Sequence, residues 1–261
     1  MSAQATKPMF DLLAGAIQAG TPVAVATIVK GESAGAKILV LPDEVVGTLG
    51  DATLDALATS EARRLLSLER SETQSHAGPA GEIEVFFESF PPPPALIIFG
   101  AVHVAQALTI YAKQLGFRVV VVDVRAKLAT EERFPDADEI VLEWPDVALQ
   151  NRNVAPNTAI AILSHDPKFD EPALLGSLAT PARYIGAVGS RKTNADRRVR
   201  LQEAGVDEDS IERVRGPIGL DIGASTPEEM AISILSEIIA AKNGRKGGSL
   251  TTASGKIRAR V

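Results

Sequence analysis

Hydrophobic positions change rhythm near residue 90. Before it, apolar residues recur at helical spacing over Phe10 to Gln18, a run that stops at Gly20, and again over Leu54 to Leu68. Pro22 to Val29 and Ala36 to Leu41 are β-branched runs between turn residues and predict strands, with Ile83 to Phe87 as another. Beyond residue 90 Ala95 to Phe99 is a continuous apolar run, and Phe117 to Asp123, Thr158 to Leu163 and Tyr184 to Val188 read as further short buried strands. Unbroken runs suit parallel strands buried on both faces. Helical spacing follows the first over Val104 to Leu115, ended by Gly116, and helical stretches follow the third and fourth. A last helix, Pro227 to Lys242, is announced by a Thr226 cap, proline at its first position and Glu229 three residues after the cap.

Strands alternating with helices imply a parallel sheet with right-handed crossovers. The predicted fold class is α/β: a C-terminal Rossmann-like parallel sheet with helices on both faces, preceded by a small α+β domain. Pro91 to Pro94 mark the boundary, because four prolines fit neither a helix nor a central strand and favour a stiff extended segment. This divides the chain into an N-terminal domain over 1–90, a Rossmann-like domain over 95–247, and a small, polar, basic tail over 248–261 expected to be disordered.

Composition narrows the function. Cysteine is absent from the 261 residues, so disulfides, thiolate metal sites and a cysteine nucleophile are excluded. Three histidines leave little scope for a histidine-rich metal centre, and no metal site is expected. The net charge of −6 argues against a nucleic-acid binder. No apolar run approaches the ~20 residues of a membrane helix, and residues 1–10 lack an export pattern. The expectation is a soluble cytoplasmic protein.

Candidate chemistry gathers where strands end. The first buried strand runs into Gly100-Ala101-Val102-His103-Val104-Ala105, which matches the dinucleotide fingerprint G-x-G-x-x-G/A except at its middle glycine. Val102 stands there, where its side chain is expected to project into the space of phosphate oxygens. Asp123 closes the second strand, the place of an acid that binds a ribose hydroxyl, and Arg125 is the alternative, favouring a 2′-phosphate. Whether this turn holds NAD(P) or nothing stays open.

Two further strand ends carry polar groups. Ser164-His165-Asp166 either hold a ligand and move a proton, or simply cap the next helix with His165 in solvent. Gly189-Ser190-Arg191 combine a helix cap with first-turn amides and a cation, an anion-binding pattern. Arg197, Arg198 and Arg200 on that helix read as a solvated face. Asp221 is the sole charge in the loop Gly216 to Gly223.

These segments resemble the XdhC/CoxI family, the accessory proteins of molybdenum hydroxylases such as xanthine dehydrogenase. The resemblance is carried by Val85-Phe86-Phe87-Glu88, Leu96 to Ala105, Ser164-His165-Asp166, Tyr184 to Arg191, Pro217 to Gly223 and Thr226 to Ala231, all in the same order. It implies a cofactor chaperone, not an enzyme. Such a protein binds the molybdenum cofactor, a pterin with a dithiolene and a phosphate, and passes it to the apo-hydroxylase. A homodimer is also implied.

The chain departs from that pattern at Val102 and in the segment Gly47 to Asp55. There Thr53 stands at the family's cysteine and Asp55 at its glutamate, while Asp51 and Ala52 replace glycines. A hydroxyl does not replace a thiolate toward molybdenum or sulfur, so a cysteine-dependent step is excluded. Two acids near an anionic phosphate would also disfavour it. Two other readings remain beside the accessory factor: an NAD(P)-dependent oxidoreductase with His165 as proton donor, and a degenerate paralogue that senses nucleotide or serves protein contacts.

Overall fold

The structure, a computed structural model, describes residues 3–78 and 81–254. The described residues form two compact units, one up to Pro93 and the other over 94–254. Of the expected tail, residues 255–261 lie outside the described residues, and 248–254 are exposed turn and coil.

The first unit comprises α1 (Ala3–Gln18), β1 (Val23–Lys30), β2 (Lys37–Val40), β3 (Val45–Thr48), α2 (Ala52–Ser67), β4 (Glu72–Gly78) and β5 (Gly81–Phe90). Its antiparallel sheet has the order β3-β2-β1-β5-β4. Alternation along β1 sends Ala24, Ala26 and Ile28 into a core shared with Leu54, Ala58, Ala62 and Leu65 of α2. Val23 and Val25 point to the other face, where they meet Leu13 and Ala16 of α1. Asp51 caps α2 by accepting from the Leu54 amide at 2.9 Å.

The second unit comprises β6 (Ala95–Phe99), α3 (His103–Gln114), β7 (Arg118–Val122), β8 (Glu139–Val141), α4 (Pro145–Gln150), β9 (Thr158–Ile162), α5 (Pro167–Leu178), β10 (Tyr184–Ala187), α6 (Arg191–Glu203), α7 (Glu208–Glu212), β11 (Val214–Arg215) and α8 (Pro227–Lys242). All strands are parallel, in the order β11-β10-β9-β6-β7-β8. From β6 the chain builds outward to β8, then returns to β6's other side and builds to β11. The order reverses between β6 and β9, which in doubly wound sheets is where a crevice opens.

One face of the sheet packs Leu96, Ile98, Val119, Val121 and Ala161 against α3 and α8. The other packs Ile97, Phe99, Val120, Ile160 and Ile162 against α4, α5, α6 and α7. The expected Rossmann-like sheet with helices on both faces is therefore present. The α8 N-terminus has the full reciprocal cap between Thr226 and Glu229.

Candidate functional site

The β6–α3 turn is built by close approach. Gly100 has φ +105°, and a Cβ there would lie 3.1 Å from the Ser164 amide nitrogen. Glycine thus lets the ends of β6 and β9 meet at the reversal point. Val102 is the N-cap of α3, at φ −90°, and makes no side-chain cap bond. Its side chain is half-buried and packs against the α3–α8 core. The backbone needs no glycine at 102, and the side chain has contacts with that core. His103, at the start of α3, is exposed.

Asp123 is buried at the end of β7. Its Oδ2 accepts from the Ala101 amide at 2.8 Å and from Arg125 Nη2 at 2.7 Å. Its Oδ1 accepts from the amide and Nε of Arg125, both at 2.9 Å. Burial raises the carboxyl's pKa; the Arg125 guanidinium and the two amides outweigh this and hold it below the ordinary aspartate value. Arg133 also supports the turn, donating to the Ala101 carbonyl at 3.0 Å.

At the end of β9, Ser164 is buried and its hydroxyl accepts from the Asp166 amide at 3.0 Å. Asp166 caps α5 through the Lys168 amide at 3.0 Å, and His165 is exposed. The Asp166 carboxylate acts electrostatically on Arg125 from across β6. At the end of β10, Ser190 caps α6 through the Thr193 amide at 3.0 Å, and Arg191 is exposed.

Arg197 departs from the solvated face expected of its helix. It is buried, donates to the Val188 carbonyl at 3.1 Å and to Asn194, and pairs with buried Asp170 of α5 at 3.2 Å. Burial raises Asp170, opposed by Arg197 and by the Ser164 hydroxyl. Arg198 and Arg200 pair with Glu208 and Glu171.

The glycine-rich loop begins beside β10, where the Ile218 amide donates to the Ala187 carbonyl at 3.0 Å. Glu237 of α8 anchors it, accepting from the Gly219 amide at 2.8 Å and the buried Tyr184 hydroxyl at 2.6 Å. Asp221 is exposed on this loop.

Gly100, Ala101, Asp123, Ser164 and Asp166 are thus joined by direct contacts through the strand ends flanking the reversal point. Gly189 to Arg191 lie one strand further, linked to Asp170 through Arg197, and Asp221 stands apart. Sequence reading missed Arg133 and the Asp170–Arg197 pair. Neither has a motif, since each partner is distant in sequence and only the topology brings them together.

In the N-terminal unit, Asp55 accepts from the Thr48 hydroxyl at 2.7 Å and the Leu49 amide at 2.6 Å, closing the preceding loop onto α2. Thr53 is exposed in the first turn of α2. Among the described residues, no group of three or more metal-ligating side chains is placed to hold a metal ion, and no helix is long and apolar enough to cross a membrane.

The second unit is a doubly wound α/β domain with the strand order of dinucleotide-binding folds and its polar strand ends at the reversal point. Residues 96–238 match the XdhC Rossmann domain and residues 16–76 match the XdhC and CoxI family. The chain belongs to the XdhC and CoxI family.

Among curated relatives, it is 30% identical over 245 residues to the uncharacterized protein YqeB of Escherichia coli K12, an alignment covering 87% of this chain. It is 32% identical over 155 residues, 59% of the chain, to a Bacillus subtilis 168 protein named as a probable subunit of xanthine dehydrogenase. It is 26% identical over 166 residues, 64% of the chain, to the molybdenum cofactor insertion chaperone PaoD of Escherichia coli K12. In each case the match spans 45% of the relative's length. A solved xanthine dehydrogenase structure from Bacillus halodurans shares the fold, with a TM-score of 0.55 at 22% identity, covering 93% of this chain and 97% of that one.

Proposed function

We propose that this chain is an accessory factor in the maturation of a molybdenum hydroxylase, receiving the phosphate-bearing pterin cofactor and delivering it to the apo-enzyme. The observation that carries this reading is family membership across both units, together with a relative named as a molybdenum cofactor insertion chaperone. The chain then binds and orients its guest without making or breaking a bond in it.

The strand ends fit the phosphate end of such a cofactor. The first turn of α3 carries no side-chain cap, which leaves its N-terminal amides to an anion. The metal end is different, because a chain without cysteine offers no thiolate. When bound, the pterin's own dithiolene supplies the sulfur ligands, and the protein's part is to hold the phosphate, exclude water and present the group to its recipient.

The test is deletion of the gene, followed by measurement of hydroxylase activity and cofactor content. The expected result is hydroxylase that accumulates without cofactor and is inactive. Unchanged activity and cofactor content overturn the proposal.

A further inference from the structure

We infer that the Asp123–Arg125 pair is a specificity determinant that closes the crevice to ligands recognised through a ribose diol, so that ordinary NAD(H) is rejected there. The inference rests on reading the β6–β9 crevice as the ligand site and narrows what that site takes.

An ionised carboxylate has about four lone-pair positions. Asp123 uses all four: the Ala101 amide and Arg125 Nη2 on Oδ2, and the Arg125 amide and Nε on Oδ1. The side chain is 1% exposed, so no face of it is left to water or a ligand. In the dinucleotide-binding arrangement the acid at this strand end accepts from ribose hydroxyls. Here nothing remains to accept with. A site built to receive a hydroxyl loses most of its affinity when its acceptor is otherwise engaged.

The geometry also shows how the block is made. Removing the Arg125 side chain would vacate one acceptor position on each carboxylate oxygen and leave the two amide bonds that shape the turn. One free position per oxygen is the pattern a vicinal diol needs. The guanidinium is half-exposed, and Asp166 is a second carboxylate that acts on it. It therefore neutralises the acid that would otherwise repel an anionic guest. Arg125 excludes a ribose and tolerates a phosphate ester.

The test titrates wild type, Arg125→Ala and Arg125→Gln with NADH, by fluorescence, and with isolated molybdenum cofactor under anaerobic conditions. Expected is no NADH binding by wild type at millimolar concentration, and at least a tenfold gain for Arg125→Ala. Arg125→Gln, less disturbing to packing, should fall between them. Wild type that binds NADH as tightly as the variants overturns the inference, and retained cofactor binding would then leave the accessory role standing. Variants that fold but gain no NADH affinity also overturn it. Absence of cofactor binding in wild type, with NADH gained by Arg125→Ala, counts against the accessory role alone.

Discussion

Gly100 and Ser164 meet so closely at the strand reversal that a side chain on the former would press on the latter's amide nitrogen, 3.1 Å from the new Cβ. The φ of +105° is a second reason for glycine at this point. Gly100→Ala is therefore expected to cost about 1–3 kcal/mol. A urea titration checks this as a lower midpoint at unchanged slope; an equal midpoint refutes it.

Val102 caps α3 without a side-chain acceptor, although its extended backbone suits one. Val102→Thr keeps the shape and adds an oxygen for the amide of Val104 or Ala105. The variant should gain about 0.5–1 kcal/mol. If those amides serve a phosphate, it should also bind isolated molybdenum cofactor more weakly. Calorimetry of both quantities checks the pairing, and higher stability with undiminished binding would separate the turn from the ligand.

Asp170 and Arg197 are buried together, so Arg197→Leu leaves an uncompensated carboxylate and should cost about 3–5 kcal/mol at neutral pH. Burial already raises Asp170, and losing Arg197 removes a charge that opposes the rise. A pKa raised on folding favours the protonated form, so its stabilising contribution is present below the ordinary value and fades as pH climbs through the folded one. The variant's deficit in Tm against wild type should be smaller at pH 4 than at pH 7. A pH-independent deficit would contradict this.

Glu61 behaves oppositely. Its hydrogen bond from Arg64 and another from Gln74 of β4 outweigh burial and lower its pKa to about 2 from 4.5. A depressed carboxylate stabilises the fold above its unfolded value, and that contribution is lost as pH falls from 4.5 to about 2. Glu61→Gln should flatten the acid limb of stability in the N-terminal unit, followed through amide resonances of α2 and β4. Identical acid limbs would rule out the linkage.

The parallel sheet was legible because burial on both faces demands unbroken apolar runs such as Ala95 to Phe99. The α8 start was legible because its cap is entirely local. β4, Glu-Thr-Gln-Ser-His-Ala-Gly, was not: its strand character comes from pairing with β5, not from its own residues. β8 has three residues and β3 is an edge strand with mostly exposed positions, so neither leaves a periodic trace. At the site, the fingerprint located Gly100 and Asp123 at the ends of adjacent strands. It did not reveal that Arg125 fills the acid's acceptors, nor that Val102 has contacts with the core, because both depend on side-chain directions that spacing does not encode.

Glu237 gives the molecule an order of completion. The amide it holds on Gly219 emerges from the ribosome 18 residues earlier, and the Tyr184 phenol 53 residues earlier. A nascent chain can thus own every parallel strand while its glycine-rich loop hangs loose, and that rim is fixed only once the final helix has docked.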